Sequence, residues 1–172
     1  MQFAYGVDAL FEPILVAREI NKGFPKRKDT YTFYLDGNTG IARPLRVEPC
    51  KRLEFLVADG SKLPFRDEAF TLVSSFHVTE VTAKPLSILK EKVRVLKPQG
   101  LFLCASIDLL GRRLMDSSEP DDPSRPALEV VTKQLEIDLK ILEETSDAPY
   151  LRQENSRSLE LYFSHCIWAQ KC

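Results

Sequence analysis

The stretch that decides the fold begins at Phe55-Leu56-Val57-Ala58-Asp59-Gly60-Ser61-Lys62-Leu63-Pro64-Phe65 and runs on to Lys97-Pro98-Gln99-Gly100-Leu101-Phe102-Leu103. Phe55–Ala58 reads as an apolar strand closed by an acid and a turn, and Phe70–Ser75 as a second strand. Pro85 then opens a helix in which Leu86, Leu89, Val93 and Leu96 fall on one side, at helical spacing. Pro98 stops that helix, and Leu101–Ile107 gives a third strand. Near-continuous apolarity in the first and third strands implies burial on both faces, as in a parallel sheet covered by helices. All three are expected to run parallel in one sheet.

Working outward, Pro13 can start a helix because its missing N–H costs nothing in the first turn. Ile14, Ala17 and Ile20 give that helix one apolar stripe, and Gly23 after Lys22 ends it. Tyr31–Leu35 is rich in aromatic and β-branched residues and reads as a strand, ending in the turn Asp36-Gly37-Asn38-Thr39-Gly40. Residues 116–126 hold three prolines and four acids and read as a loop. A helix is expected over Ala127–Leu135, and Leu139–Leu142 with Leu159–Ala169 as a closing antiparallel pair. Strands and helices alternating in this way make an α/β domain. At 172 residues, one domain spanning 1–172 is expected.

The totals narrow the function. A net charge of −1 offers no basic excess for nucleic acid or an anionic membrane surface. No apolar run is long enough to span a bilayer, and the N-terminus lacks the pattern of a signal peptide. Cys50, Cys104, Cys166 and Cys172 form no metal-type spacing, and unpaired thiols fit a reducing, cytoplasmic setting. No metal centre is expected.

The 55–103 stretch resembles the middle of a class I S-adenosylmethionine-dependent methyltransferase, in the small-molecule branch that includes the ubiquinone and menaquinone methyltransferases. The resemblance implies a Rossmann-like sheet, mostly parallel, with an antiparallel C-terminal pair. It also implies S-adenosylmethionine as cofactor, bound at the carboxyl edge of the sheet where open α/β folds take ligands. Such a site needs a glycine-rich turn after one strand, an acid for the ribose hydroxyls after the next, and an acid near the adenine amine after a third. Asp36, Gly37 and Gly40 resemble the first element in shortened form, and Glu48, after Arg46-Val47, resembles the second. Asp59 with Gly60 resembles the third. Phe76 lies where a fourth strand meets the cofactor, and His77 beside it is the candidate general base. Arg94 to Gly100 resembles the signature after the helix, with Gln99 in place of a glycine.

Spacing opens a second reading. Seven residues (41–47) separate Gly40 from Glu48, and ten (49–58) separate Glu48 from Asp59. A parallel crossover with its helix takes at least about 10–12 residues besides the strands. One or two N-terminal helices are therefore expected to be missing, and S-adenosylmethionine binding to be weak. Tyr31–Leu35, Asp36-Gly37 and Ile41–Val47 equally make a β-hairpin, with Pro44 on an edge strand. Each candidate also has a plainer role: Asp36 a turn former, Glu48 an exposed strand-end acid, His77 and His165 structural histidines. Two functions remain. One is methyl transfer to a small-molecule O, N or C nucleophile. The other is an inactive relative that binds or regulates a partner. The sheet surface near residues 31–58 is expected to be covered by a homodimer or a protein partner.

Overall fold

A computed structural model describes residues 3–22, 30–34, 40–44, 48–82, 85–106, 139–153 and 159–172. The chain divides into two compact units, 1–60 with 151–160 and 61–150 with 161–172.

In the first unit, strand β1 (Ala4–Asp8) leads into helix α1 (Phe11–Asn21), and β4 (Leu53–Val57) returns parallel to β1, from Ala4 opposite Leu53 to Asp8 opposite Val57. Between α1 and β4 the chain makes an antiparallel hairpin, β2 (Thr30–Tyr34) with β3 (Gly40–Pro44), in which Tyr34 faces Gly40. Gly6 lies opposite Phe55, and a Cβ there would sit 2.5 Å from the Phe55 ring, so the strand needs a glycine at this close approach. Helix α1 buries Ile14. Polar ties hold it to the β4 segment. The Arg18 guanidinium donates to the Phe55 carbonyl at 2.6 and 3.2 Å. Asn21 donates to the carbonyls of Cys50 and Leu53 and accepts from the Cys50 N–H at 2.9 Å.

The second unit holds a sheet in the order β5-β6-β8-β7. Strand β5 (Phe70–Phe76) runs parallel to β6 (Leu96–Ser106), with helix α2 (Pro85–Val95) between them, and β8 (Leu159–Lys171) lies antiparallel to β6. Strand β7 (Leu139–Gln153) forms the edge beyond β8. The residue before a proline avoids helical geometry, and α2 ends at Val95, ahead of Lys97-Pro98. Leu89 of α2 closes over Leu96, Phe102, Cys104, Ile167 and Ala169 to form the core.

The parallel pairing of Phe70–Ser75 with Leu101 onward, the helix between them and the C-terminal strands all appear as expected. Three features differ. Strand β1 was not expected. The strand ending at Val57 pairs with β1 in a two-stranded sheet, where one sheet shared with β5 and β6 was expected. Strand β7 continues through Ala148 to Gln153, where a loop was expected. Pro149 is tolerated there because an edge strand has one side free of a ladder partner. No described helix lies between 40 and 58. The N-terminal helix precedes the hairpin, at 11–21, and serves as the crossover from β1 to β4. The expected helix at 127–135 lies outside the described residues.

Candidate functional site

The parallel pair β1–β4 brings two acids to one sheet edge. Asp8 ends β1 opposite Val57, and the Ala58 N–H donates to the Asp8 carbonyl at 2.9 Å, which extends the ladder one residue further. Asp59 and Gly60 follow directly on the neighbouring strand. The Asp8 carboxylate also accepts the Leu10 N–H at 2.8 Å and so fixes the turn into α1. Asp8 and Asp59 thus stand near adjacent parallel strand ends, beside the start of a helix, at the kind of sheet edge where open α/β folds bind ligands.

In the second unit, β5 ends at Phe76, whose side chain is exposed. His77 follows with φ of 51°, a left-handed conformation uncommon for a residue with a side chain. Its N–H donates to the Ala105 carbonyl at 2.8 Å, so the strained residue is locked to β6. Non-glycine residues are held in this region only where their surroundings impose it, often at functional positions.

The loop after β4 is held from α2. Arg94 donates to Glu91, to Asp67 and to the carbonyls of Leu63 and Phe65, while Glu91 accepts the Leu63 N–H at 2.7 Å. The Arg94 hydrogen bonds and, less strongly, that from Leu63 hold the Glu91 carboxyl below its ordinary range, against burial and the charge of Asp67. Leu63-Pro64-Phe65, which stood out in the sequence, is thus fixed by Glu91 and Arg94 of the following helix.

The remaining sequence candidates fall elsewhere. Gly40 is the first residue of β3 in an antiparallel hairpin, so it does not form a strand-to-helix turn in a parallel sheet. Asp36 and Gly37 lie outside the described residues. Glu48 is exposed and lies in the segment before β4. The acid that ends the strand beside β4 is Asp8. The signal was present: Tyr5-Gly6-Val7-Asp8 before a helix repeats the pattern of Phe55-Leu56-Val57-Ala58-Asp59. Among the described residues, no parallel strand ends in a glycine-rich turn, and no cluster of His, Cys, Asp and Glu could hold a metal ion.

Residues 35–104 match a family described as Methyltransferase domain. The demethylmenaquinone methyltransferase of Lactococcus lactis subsp. lactis is 28% identical over 127 residues, 74% of this chain and 40% of that protein. The chain therefore spans well under half the length of this relative. A S-adenosylmethionine-dependent methyltransferase of Aquifex aeolicus shares the fold at 15% identity, covering 99% of this chain and 69% of its own, with a TM-score of 0.56. A putative methyltransferase of Haloferax volcanii, solved in complex with the Trm112 methyltransferase activator, shares it at 19% identity over 98% and 71% of the two chains, with a TM-score of 0.56.

Proposed function

We infer, from a chain that resembles the class I S-adenosylmethionine-dependent methyltransferases in sequence and has their fold, that this protein transfers a methyl group to a small-molecule oxygen, nitrogen or carbon nucleophile. The observation that carries this reading is the placement of Asp8 at the end of β1 and of Asp59 just past the end of the parallel strand β4. S-adenosylmethionine, when bound, supplies an electrophilic sulfonium methyl group. Its ribose diol and adenine amine are donors, and they suit two carboxylate acceptors. In this reading Asp8 accepts from the ribose hydroxyls, Asp59 accepts from the adenine amine, and the Gly60 backbone leaves room beside it. Phe76 is proposed as a further cofactor-binding residue and His77 as the base that takes the proton from a substrate hydroxyl or amine. Methyl transfer of this kind depends mainly on positioning. The protein is proposed to act in the cytoplasm.

The second reading is a methyltransferase-like subunit that binds or regulates a partner. The lack of a glycine-rich turn at any described parallel strand end favours it, because that leaves fewer backbone donors near the cofactor. Tyr5 and Val57, exposed in the first unit, would suit a homodimer or partner surface. The Haloferax relative was solved with an activator protein, so a partner fits either reading. Incubation with S-adenosylmethionine labelled at the methyl group, against a panel of quinols, phenols and amines, separates the two. Labelled product, reduced roughly 10²–10⁴-fold in His77→Ala, is expected for the enzyme. A folded chain that labels nothing in the panel, alone or with a co-purifying partner, would favour the binding subunit.

A further inference from the structure

Helix α2 carries one residue that its apolar side does not explain. Lys92 lies among Ile88, Leu89, Val93 and Val95 on the buried side of the helix, with only 8% of its surface exposed. Lysines normally lay their stems on apolar surface and keep the ammonium in water. Here the Nζ donates to the Oγ of Ser75 on β5, itself 3% exposed. An ammonium has three hydrogens to donate. Ser75 is its one hydrogen-bond partner among the described residues, and no described carboxylate neutralises it.

From β6 comes the Cys104 thiol, buried and in register with Ser75. The short 3-10 turn Thr79–Val81, which packs on α2, carries the buried Thr79. On α2 itself, Glu91 and Arg94 are engaged with residues 63–67. From β8, the Lys171 Nζ donates to the carbonyls of Val93 and Leu96 and so caps the end of α2.

We propose that Lys92 makes the attachment of α2 to the β5–β6 sheet a proton-dependent contact, so that the second unit tightens when the buried amine loses its proton. Ser75 can accept from the ammonium or donate to the neutral amine, so the contact survives in both forms. Burial pushes the Lys92 amine down to about 8, with Cys104 acting in the opposite direction. In the unfolded chain the lysine keeps its ordinary value near 10.4. Between about pH 8 and that value the unfolded chain holds a proton that the folded chain has released, so stability rises with pH. Below about 8 both states are charged, and the cost of burying the ammonium is present in full. This inference rests on the core of the second unit alone and is independent of the methyl-transfer reading.

Urea unfolding of the whole chain at pH 7, 8, 9 and 10, wild type beside Lys92→Met, tests it. Lys92→Met should be the more stable at pH 7. The ratio of the two folding constants should shift toward wild type by up to about tenfold per pH unit between 8 and 10. A second measurement does not need the variant to fold: the wild type, labelled with 13C at lysine Cε, is titrated by NMR. One resonance should titrate near pH 8, away from the others. A pH-independent ratio of folding constants, or a spectrum in which every lysine titrates near 10.4, would overturn the proposal.

Discussion

The two strand-helix-strand units of this molecule share one pattern and are held together by different forces. In β1–α1–β4 the helix buries Ile14 and is tied to the returning segment by hydrogen bonds from Arg18 and Asn21 to backbone groups. In β5–α2–β6 the helix buries Ile88, Leu89, Val93 and Val95, and Leu89 packs with Phe102, Cys104 and the β8 residues Ile167 and Ala169. Apolar burial is non-directional and contributes roughly 25 cal/mol per Å². Hydrogen bonds are directional and contribute only about 0.5–1.5 kcal/mol each. The second unit should therefore supply most of the stability. The first should be geometrically exact at its strand ends and easier to open.

Substitutions can break or sharpen this contrast. Phe102→Ala empties the largest buried side chain of the core and should cost about 3–5 kcal/mol in urea unfolding. A cost below about 1 kcal/mol would remove the claim that this core dominates. Gly6→Ala forces a methyl against the Phe55 ring across β1–β4 and should cost about 1–3 kcal/mol. Hydrogen exchange should show that loss mainly in the first unit.

The next effect is set by pH. The folded-state pKa of Glu91 is depressed, chiefly by the Arg94 hydrogen bonds. Its contribution is therefore present above the ordinary glutamate range and lost as pH falls through that range to the lower folded value. Arg94→Met should weaken the fold at pH 7 by about 1 kcal/mol after allowing for partial exposure, and should flatten its acid sensitivity. Equal acid sensitivity in the two proteins would show that the Glu91–Arg94 network does not control it. The smallest effect has the opposite sign. Gln99 sits at φ of 62°, where a side chain is disfavoured, and its carbonyl contact with the Gln170 side chain needs no side chain at 99. Gln99→Gly should stabilise by roughly 0.5–1 kcal/mol, measured by urea unfolding.

What the sequence reveals follows the same division. Strand β5, helix α2 and strand β6 are legible because continuous apolar runs and a helical stripe leave few alternatives. The replacement at Gln99 is visible as a departure from a glycine, and the positive φ there accounts for why a glycine suits the position. Strand β1 is hard to find: five residues, one of them glycine, and largely exposed or half-buried. Without it, Glu48 is the acid that the sequence offers before the Asp59 strand, since Val47-Glu48 also looks like the end of a strand. The hairpin inserted after α1 compounded this by separating α1 from β4 and drawing attention to Asp36–Gly40. Asp59 was legible because the acid, the turn and Leu63-Pro64-Phe65 lie together in sequence. Pro149 hid the length of β7, because its place on an edge strand is a tertiary fact.

The central claim is that S-adenosylmethionine is held at the carboxyl edge of β1–β4 by Asp8 and Asp59. Calorimetric titration of S-adenosylmethionine into wild type, Asp8→Asn and Asp59→Ala tests it most directly. Asparagine at position 8 keeps an acceptor for the Leu10 N–H, so α1 should remain intact while the carboxylate is lost. The expected result is measurable wild-type binding that weakens in each variant by about 1–3 kcal/mol, close to a tenfold loss or more. Wild-type binding unchanged in both variants, or no binding by the folded wild type, would contradict the claim.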